Sequence, residues 1–226
     1  MAQIDRDQYT FFNDSVVSTA APQLGAMDLA KRAFDIVGAL GLLMAFSPLF
    51  ALIWILAKID GGPAVFAHKR VGRDGRQFYC LKFRTMVVNA GEMLEEILAN
   101  DPEAKVEWDA LHKITNDPRI TKIGHFLRKT SLDELPQVFN VLRGEMSLVG
   151  PRPVVTDEIP RYGQFAAEAF SVRPGITGLW QIGGRNDISY DERVQNDISY
   201  VRNRSLLGDV AILFATVKVV LFRTGK

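Results

Sequence analysis

The chain has 226 residues, enough for one ordinary domain or one domain with an appendage and too few for a multidomain machine. Its 27 Lys and Arg residues nearly balance its 26 Asp and Glu residues, so no overall positive field attracts nucleic acid. Hydrophobic residues at 47% and charged residues at 23% exclude a disordered chain and a multi-span membrane protein. The lone cysteine, Cys80, allows no intrachain disulfide, which makes a cytoplasmic catalytic face the default expectation.

Residues 1–26 show neither helical nor strand periodicity and end in a stretch with Pro and Gly, which predicts a mobile leader. No basic segment followed by an apolar run and a small-residue cleavage site occurs there, so no secretory signal is predicted. The apolar stretch Tyr9–Phe12 is a candidate contact for a partner, and a homodimer is left open.

The next segment, Ile36–Ala57, has 22 consecutive residues without a charge. As a helix, this run is long enough to cross the roughly 30 Å of membrane hydrocarbon. Pro48 lies in its middle and removes a helical hydrogen bond, which predicts a bend at Ser47 and Pro48.

Basic residues flank this apolar run on both sides, with Lys31 and Arg32 before it and Lys58, Lys69 and Arg70 after it. Because basic flanks favour the cytoplasmic side, this pattern favours a re-entrant helix that enters the membrane, bends and returns. Proline also bends ordinary membrane helices, so a kinked spanning helix stays open as the alternative.

The remaining sequence predicts a mostly helical domain with a small β-hairpin. The predicted strands are Val65–Val71 and Gln77–Met86, and the predicted helices are Gly91–Asn100, Lys105–Lys113, Asp117–Lys129, Ser131–Leu142 and Leu206–Phe222. Gly144–Pro153 and Arg173–Arg185 are predicted loops rich in Gly, Pro and Arg. The predicted fold class is therefore α/β: a leader (1–26), a re-entrant helix-break-helix (27–58) and a membrane-associated, interfacial catalytic domain on the cytoplasmic side (59–226).

Two adjacent carboxylates, Asp133 and Glu134, follow Ser131 at a predicted helix start. Free amides and the helix dipole stabilise anions there, and an ionised carboxylate can attack phosphorus, especially beside a divalent metal. The alternative is a capping box with Ser131 as N-cap and Glu134 at the third helical position. Pro136 complicates that alternative, because it would remove a helical hydrogen bond.

Basic residues beside Gly, Pro or apolar residues form the second candidate group. Its members are Lys82, Arg84, Arg128, Arg152, Arg173 and Arg185. Arginine grips diphosphate through its forked donors, so these residues are candidate substrate and phosphate ligands. The three histidines lie far apart in sequence, and none is predicted to bind metal.

The motifs KFRTM, DPRITKIGHFLRKTSLDELPQVFNVLRGEMSLVGPRP and RPGITGLWQIGGRN, in this order behind an apolar helix with a central Ser-Pro, resemble the bacterial sugar transferases called monotopic phosphoglycosyl transferases. Within that family the chain looks most like the undecaprenyl-phosphate galactose phosphotransferases of exopolysaccharide synthesis. The resemblance runs from about Lys31 to the C-terminus. It implies transfer of a hexose-1-phosphate, galactose or else glucose, from a UDP-sugar to undecaprenyl phosphate, with release of UMP. It also implies Mg²⁺ as cofactor, membrane lipids as surroundings and the cytoplasmic face of the bacterial inner membrane as location.

The family's motifs map onto this sequence position by position. The resemblance makes Asp133 the nucleophile that forms a covalent phosphosugar intermediate, and it gives Glu134 a role in metal or proton handling. Both carboxylates are candidate metal ligands, and Ser47 and Pro48 match the helix break. The candidate substrate and phosphate contacts are Lys82, Arg84, Arg128, Arg152, Arg173, Arg185 and Asp197.

Two alternatives to this mechanism are open at this stage. In direct ternary transfer, Asp133 only binds metal and the lipid phosphate attacks the UDP-sugar itself. In a scaffold, the chain is a non-catalytic, membrane-attached part of a polysaccharide assembly complex, with the carboxylates as a helix cap and the arginines on anionic lipid.

Overall fold

The computed structural model describes residues 25–59, 61–111, 114–183 and 188–222. The predicted leader and Tyr9–Phe12 therefore lie almost wholly outside the described residues, and Arg185 lies outside them as well.

Helices predominate, and the strands are short. The helices are α1 (Ala26–Ala57), α2 (Ala90–Asn100), α3 (Pro102–Leu111), α4 (Lys122–Thr130), α5 (Gln137–Arg143), α6 (Ala166–Ala169), α7 (Leu179–Ile182), α8 (Tyr190–Asn203) and α9 (Leu206–Phe222). The strands are β1 (Val65–Val71), β2 (Gln77–Phe83), β3 (Ser147–Val149) and β4 (Gly175–Thr177). Strands β1 and β2 pair with each other, and β3 pairs in parallel with β4. The predicted mostly helical fold with a small sheet is confirmed.

Helix α1 has 32 residues and begins ten residues before the uncharged run. Within the described ranges it is the one helix long and apolar enough to cross a membrane, by length and composition. Pro48 lies inside it without interrupting the helix, so the predicted helix-break-helix is not confirmed. Large apolar side chains on it, such as Val37, Met44 and Ile55, are exposed.

The chain divides into two compact units. The first unit comprises residues 1–45, 67–81 and 137–226, and the second comprises residues 46–66 and 82–136. Each unit has a hydrophobic core of its own, built from buried aliphatic and aromatic side chains.

A buried charge network in the first unit joins α1, α9 and β3. Lys31 Nζ lies 2.9 Å from Asp35 and 2.7 Å from Asp209, and both aspartates are about 1% exposed. Asp35 also accepts hydrogen bonds from Ser147 Oγ and from the Leu148 amide. Removing one partner of such a buried pair typically costs about 3–5 kcal/mol, so this network fixes the beginning of α1 within its unit.

The core of the second unit centres on Ile53, Phe83 and Leu127, which are almost fully buried. Leu132 and Leu135 pack against these residues. Helix α4 approaches the backbone at Thr85 so closely that a Cβ atom at Gly124 would overlap the Thr85 carbonyl. Glycine at this position therefore brings α4 into contact with the segment that follows β2.

The structure confirms the predicted strand Val65–Val71 and the predicted helix Leu206–Phe222. The second strand ends at Phe83 rather than Met86, and the helix predicted from Asp117 begins at Lys122. Two further predictions are corrected. The single helix predicted over Ser131–Leu142 is wrong, because a 3₁₀ turn at Leu132–Glu134 precedes α5. Pro136 explains the break, since it cannot donate a helical hydrogen bond. The two predicted loops contain β3, β4 and α7, whose three or four residues are too short to show a period.

Candidate active site

The paired carboxylates lie on a short turn of the second unit that apolar residues hold in place. Ser131 ends α4 in the left-handed conformation, with φ of 56°, and Leu132–Glu134 then forms the 3₁₀ turn. Leu132 and Leu135 pack into the core on either side of Asp133 and Glu134. The Ser131 side chain makes no capping hydrogen bond, so the capping-box alternative does not describe this turn.

Lys82 supplies a cation to both carboxylates. Its Nζ lies 2.6 Å from Glu134 Oε1 and 3.9 Å from Asp133 Oδ2. Lys82 is 52 residues from Glu134 in sequence and comes from the end of β2. The structure thus brings together Lys82, Asp133 and Glu134, which belong to two separate sequence motifs.

Asp133 is the more enclosed of the two acids, with 13% of its side chain exposed against 35% for Glu134. Burial raises the pKa of Asp133 to about 6, while Lys82 lowers it, Glu134 raises it and Arg128 lowers it. At neutral pH most of this carboxylate is ionised. It is therefore a partly desolvated anion beside two cations, which is a suitable state for a nucleophile.

Arg128 extends the positive charge near Asp133. Its Nε donates a 2.9 Å hydrogen bond to Thr85 Oγ1, which orients the guanidinium group at the end of α4. The close packing of Gly124 on the Thr85 backbone makes this bond geometrically possible.

Arg84 has a different setting from the other basic residues of this unit. It is 9% exposed, and its guanidinium donates to the backbone carbonyls of Ala57, Pro63 and Met86. Arg84 therefore ties the end of α1 to the segments before β1 and after β2. A phosphate-binding role for Arg84 stays a prediction.

The donor set at Asp133 and Glu134 fits a magnesium ion that also binds substrate. Among the described residues, no cluster of three or more His, Cys, Asp or Glu side chains could hold a metal by itself. Mg²⁺ commonly uses one or two carboxylates and completes its six oxygens with water and substrate phosphates.

Two predicted ligands in the first unit make backbone contacts. Arg173 Nε donates to the Gly144 carbonyl at 2.7 Å, near the carbonyls of Val141 and Leu142 that accept from Arg32. These arginines satisfy carbonyls at the C-terminal end of α5. The backbone N–H of Arg152, rather than its side chain, donates a 3.4 Å hydrogen bond to Asp197 Oδ1.

Asp197 is 1% exposed and accepts a 2.8 Å hydrogen bond from the Tyr162 hydroxyl at Oδ2. Burial raises the pKa of Asp197 to about 7, against the bonds from Tyr162 and Arg152, which lower it. Asp197 therefore joins α8 to the loop at Arg152 and the segment around Tyr162. The predicted substrate contact at Asp197 stays a prediction.

The raised pKa of Asp197 predicts a specific pH dependence of stability. Between about pH 4 and pH 7 the folded chain holds a proton that the unfolded chain has lost, so the free energy of unfolding falls as the pH rises. The slope is at most about 1.4 kcal/mol per pH unit. We expect Asp197→Asn, which is neutral throughout, to lack this slope. The test is the melting temperature of wild type and Asp197→Asn in detergent from pH 5 to pH 8. Asp109→Asn, at an exposed site, is the control. Parallel curves for wild type and Asp197→Asn would contradict the predicted role of Asp197.

Several residues that position the site were not predicted from the sequence. Thr85 orients Arg128, and Asp117 forms a buried bidentate pair with Arg119 at 2.7 and 2.8 Å. Burial alone raises the pKa of Asp117, but the bonds from Arg119 hold it below its usual value. Asp117 and Arg119 are two positions apart in the sequence Asp-Pro-Arg, and this spacing is a local signal from which the pair could have been predicted.

Comparison with the sequences of known proteins identifies a family. A sequence model described as "Bacterial sugar transferase" matches residues 26–223. The chain is 57% identical over 195 residues to the UDP-galactose-lipid carrier transferase of Erwinia amylovora and 56% identical over 195 residues to the undecaprenyl-phosphate galactose phosphotransferase of Salmonella typhimurium. Each match covers 86% of this chain and 41% of the relative, so the chain spans about two fifths of their length. The exopolysaccharide production protein ExoY of Rhizobium meliloti is 52% identical over 199 residues, covering 88% of both chains.

Proposed function

The chain belongs to the bacterial sugar transferase family, and on this premise we propose that it transfers a sugar-1-phosphate from a UDP-sugar to undecaprenyl phosphate and releases UMP. The names of two relatives support galactose as the sugar. The name of a third, which matches this chain over nearly its whole length, supports a role in exopolysaccharide synthesis.

One observation carries the assignment of the chemistry to Asp133. The carboxylate is largely enclosed, rests on a turn anchored by Leu132 and Leu135, and lies beside Lys82. An ionised acid held in one position among cations can attack an electrophilic phosphorus atom that it approaches in line. A helix-capping role would not require the lysine side chain that β2 supplies.

In the first half-reaction, an Asp133 carboxylate oxygen attacks the phosphorus that carries the sugar. The bond from that phosphorus to the bridging oxygen breaks, and UMP leaves with this oxygen. Lys82 and Arg128 offset the negative charge of the diphosphate while this happens. Asp133 and Glu134 would hold Mg²⁺, which when bound neutralises charge on the diphosphate and on the leaving group.

In the second half-reaction, a phosphate oxygen of undecaprenyl phosphate attacks the phosphorus of the phosphosugar. The bond between that phosphorus and Asp133 breaks, which restores the carboxylate and leaves a diphosphate between sugar and lipid. Because a phosphate attacks or leaves in each half-reaction, the same cations serve both.

Release of UMP is the direct test of the proposed function. The purified chain in nanodiscs is given UDP-galactose or UDP-glucose with Mg²⁺, with and without undecaprenyl phosphate. We expect UMP and sugar-linked lipid in equal amounts, with the preferred donor identifying the sugar. Absence of UMP from a wide panel of UDP-sugars would overturn the proposal and favour the scaffold alternative.

The lipid acceptor places the reaction at a membrane surface, and we propose that α1 anchors the chain there as a re-entrant helix on the cytoplasmic face of the inner membrane. The exposure of Val37, Met44 and Ile55 supports contact of α1 with lipid. The basic residues on both sides of the apolar run support one cytoplasmic location for both ends.

Cysteine labelling tests this topology. Cys80 is buried, so the native chain should react weakly with an impermeant maleimide. We expect Ser18→Cys and Ile59→Cys both to react in inverted membrane vesicles and neither to react in intact spheroplasts. Labelling of the two positions from opposite sides would show a spanning helix instead.

A further inference from the structure

Aromatic and guanidinium groups cluster in the first unit, around Trp180 of α7. The Arg152 guanidinium carbon lies 4.7 Å from the centre of the Trp180 ring, and that of Arg193 lies 4.9 Å from the same centre. Arg193 also lies 5.2 Å from the ring centre of Tyr190. We call Arg152, Trp180, Tyr190 and Arg193 the Trp180 cluster.

The beginning of α8 fixes two members of this cluster. The Ser189 hydroxyl accepts from the Glu192 amide, and Glu192 accepts from the Ser189 amide, which forms a capping box. Tyr190 and Arg193 are three positions apart and therefore share one face of the first turn. The capping box thus fixes the backbone from which both side chains extend.

The cluster leaves polar atoms unsatisfied. Trp180 is 7% exposed, and its Nε1 is buried without a hydrogen-bond partner. The Nε atoms of Arg152 and Arg193 and the hydroxyl of Tyr190 are buried and unpartnered as well. Since buried donors are nearly always hydrogen-bonded, these donors indicate a missing acceptor.

The charge of the cluster points to an acidic acceptor. Among the residues that the structure describes, neither Arg152 nor Arg193 forms an ion pair with a carboxylate. Burial, followed by repulsion from Arg152, lowers the pKa of Arg193, so the two cations disfavour each other in the ligand-free chain. Contact with the aromatic faces does not use the in-plane N–H groups, and the Nε donors of both arginines are without a hydrogen-bond partner.

We propose that the Trp180 cluster is a phosphate-binding site, in which Arg193 and Arg152 hold a phosphoryl group and the Trp180 indole N–H donates to it. This inference rests on the proposed function for its ligand class, and it assigns Arg193 and Trp180 of the first unit to phosphate binding. Two substrates of the proposed reaction carry this chemistry: the phosphate of the uridine nucleotide and the phosphate of the prenyl lipid.

Binding measurements on the full chain in nanodiscs test the site without any turnover. The ligands are UMP and undecaprenyl phosphate, and the variants are Arg193→Gln, Arg193→Lys and the control Arg202→Gln. Arg202 lies on the same helix but is exposed and paired with Glu168 at 2.7 Å, so its loss leaves the cluster intact. Because hydrogen bonds to charged groups are strong, we expect Arg193→Gln to weaken binding at least about tenfold, with an intermediate effect of Arg193→Lys and none of Arg202→Gln.

The two ligands separate the two sources of phosphate. Weaker binding of UMP assigns the site to the nucleotide, and weaker binding of undecaprenyl phosphate assigns it to the lipid. Titration of the bound ligand should also change Trp fluorescence in wild type, and this change should disappear in Trp180→Phe. Unchanged affinity for both ligands in folded Arg193→Gln and Arg193→Lys, judged by melting temperature, would overturn the site.

The binding measurements and the UMP assay distinguish failure of the site from failure of the proposed function. Loss of affinity in the Arg193 variants without UMP release from any donor would support the site and overturn the transferase. UMP release with unchanged affinities would support the transferase and overturn the site.

Discussion

Replacement of Asp133 by Asn is expected to reduce UMP release by about 10³-fold or more, because the amide cannot act as a nucleophile toward phosphorus. Asn is nearly isosteric with Asp, and Leu132 and Leu135 hold the turn from either side, so the turn should keep its shape. The measurement is the initial rate of UMP release in nanodiscs with saturating donor, Mg²⁺ and undecaprenyl phosphate.

Two controls separate chemistry from folding in this experiment. Asp109→Asn removes an exposed carboxylate of the same unit and should leave the rate unchanged. Melting temperatures of both variants should lie close to that of wild type. Full activity of folded Asp133→Asn would show that another group carries the reaction and that Asp133 has only a structural role in this turn.

The sequence predicted the acids of the candidate site but could not predict their cation partners. Asp133 and Glu134 stood out because they are adjacent and lie at a predicted helix start. Their contact with Lys82 depends on how β2 ends against the turn, and no periodicity connects positions 52 residues apart. The resemblance selected Lys82, whereas the contact itself came from the structure.

Arg84 shows why the binding partner of an arginine is hard to predict from its neighbours in sequence. Its neighbours in KFRTM marked it as a phosphate ligand, and the structure places its guanidinium against three backbone carbonyls. The unpaired carbonyl groups at a helix terminus and the oxygens of a bound phosphate are both hydrogen-bond acceptors. Composition cannot tell these acceptors apart, because both call for the same forked donor.

The fold was predictable where segments are long and was missed where they are short. The run of 22 uncharged residues within α1 and the seven-residue strands β1 and β2 are long enough to predict secondary structure from local sequence. Strands β3 and β4 have three residues each and pair in parallel across a long separation, with Ser147 opposite Gly175. Their formation is decided by burial in the first unit, which a single sequence does not display.

A burst of UMP in the absence of undecaprenyl phosphate is the second large effect that we expect. If Asp133 forms the phosphosugar intermediate, then each active chain releases up to one UMP and stops, because no acceptor phosphate resolves the intermediate. Rapid mixing with radiolabelled UDP-galactose measures the burst, and mass spectrometry of a protease digest should place the added hexose phosphate on Asp133.

The burst also decides between the two enzyme mechanisms. In direct ternary transfer the lipid phosphate is the attacking group, so no UMP forms until undecaprenyl phosphate is added. Glu134→Gln is an informative companion, since it keeps the Asp133 nucleophile and removes the acid that contacts Lys82 at 2.6 Å. We expect a slower burst of the same amplitude from Glu134→Gln and none from Asp133→Asn. Strict dependence on lipid in the wild-type chain would contradict the covalent intermediate and assign Asp133 to metal binding alone.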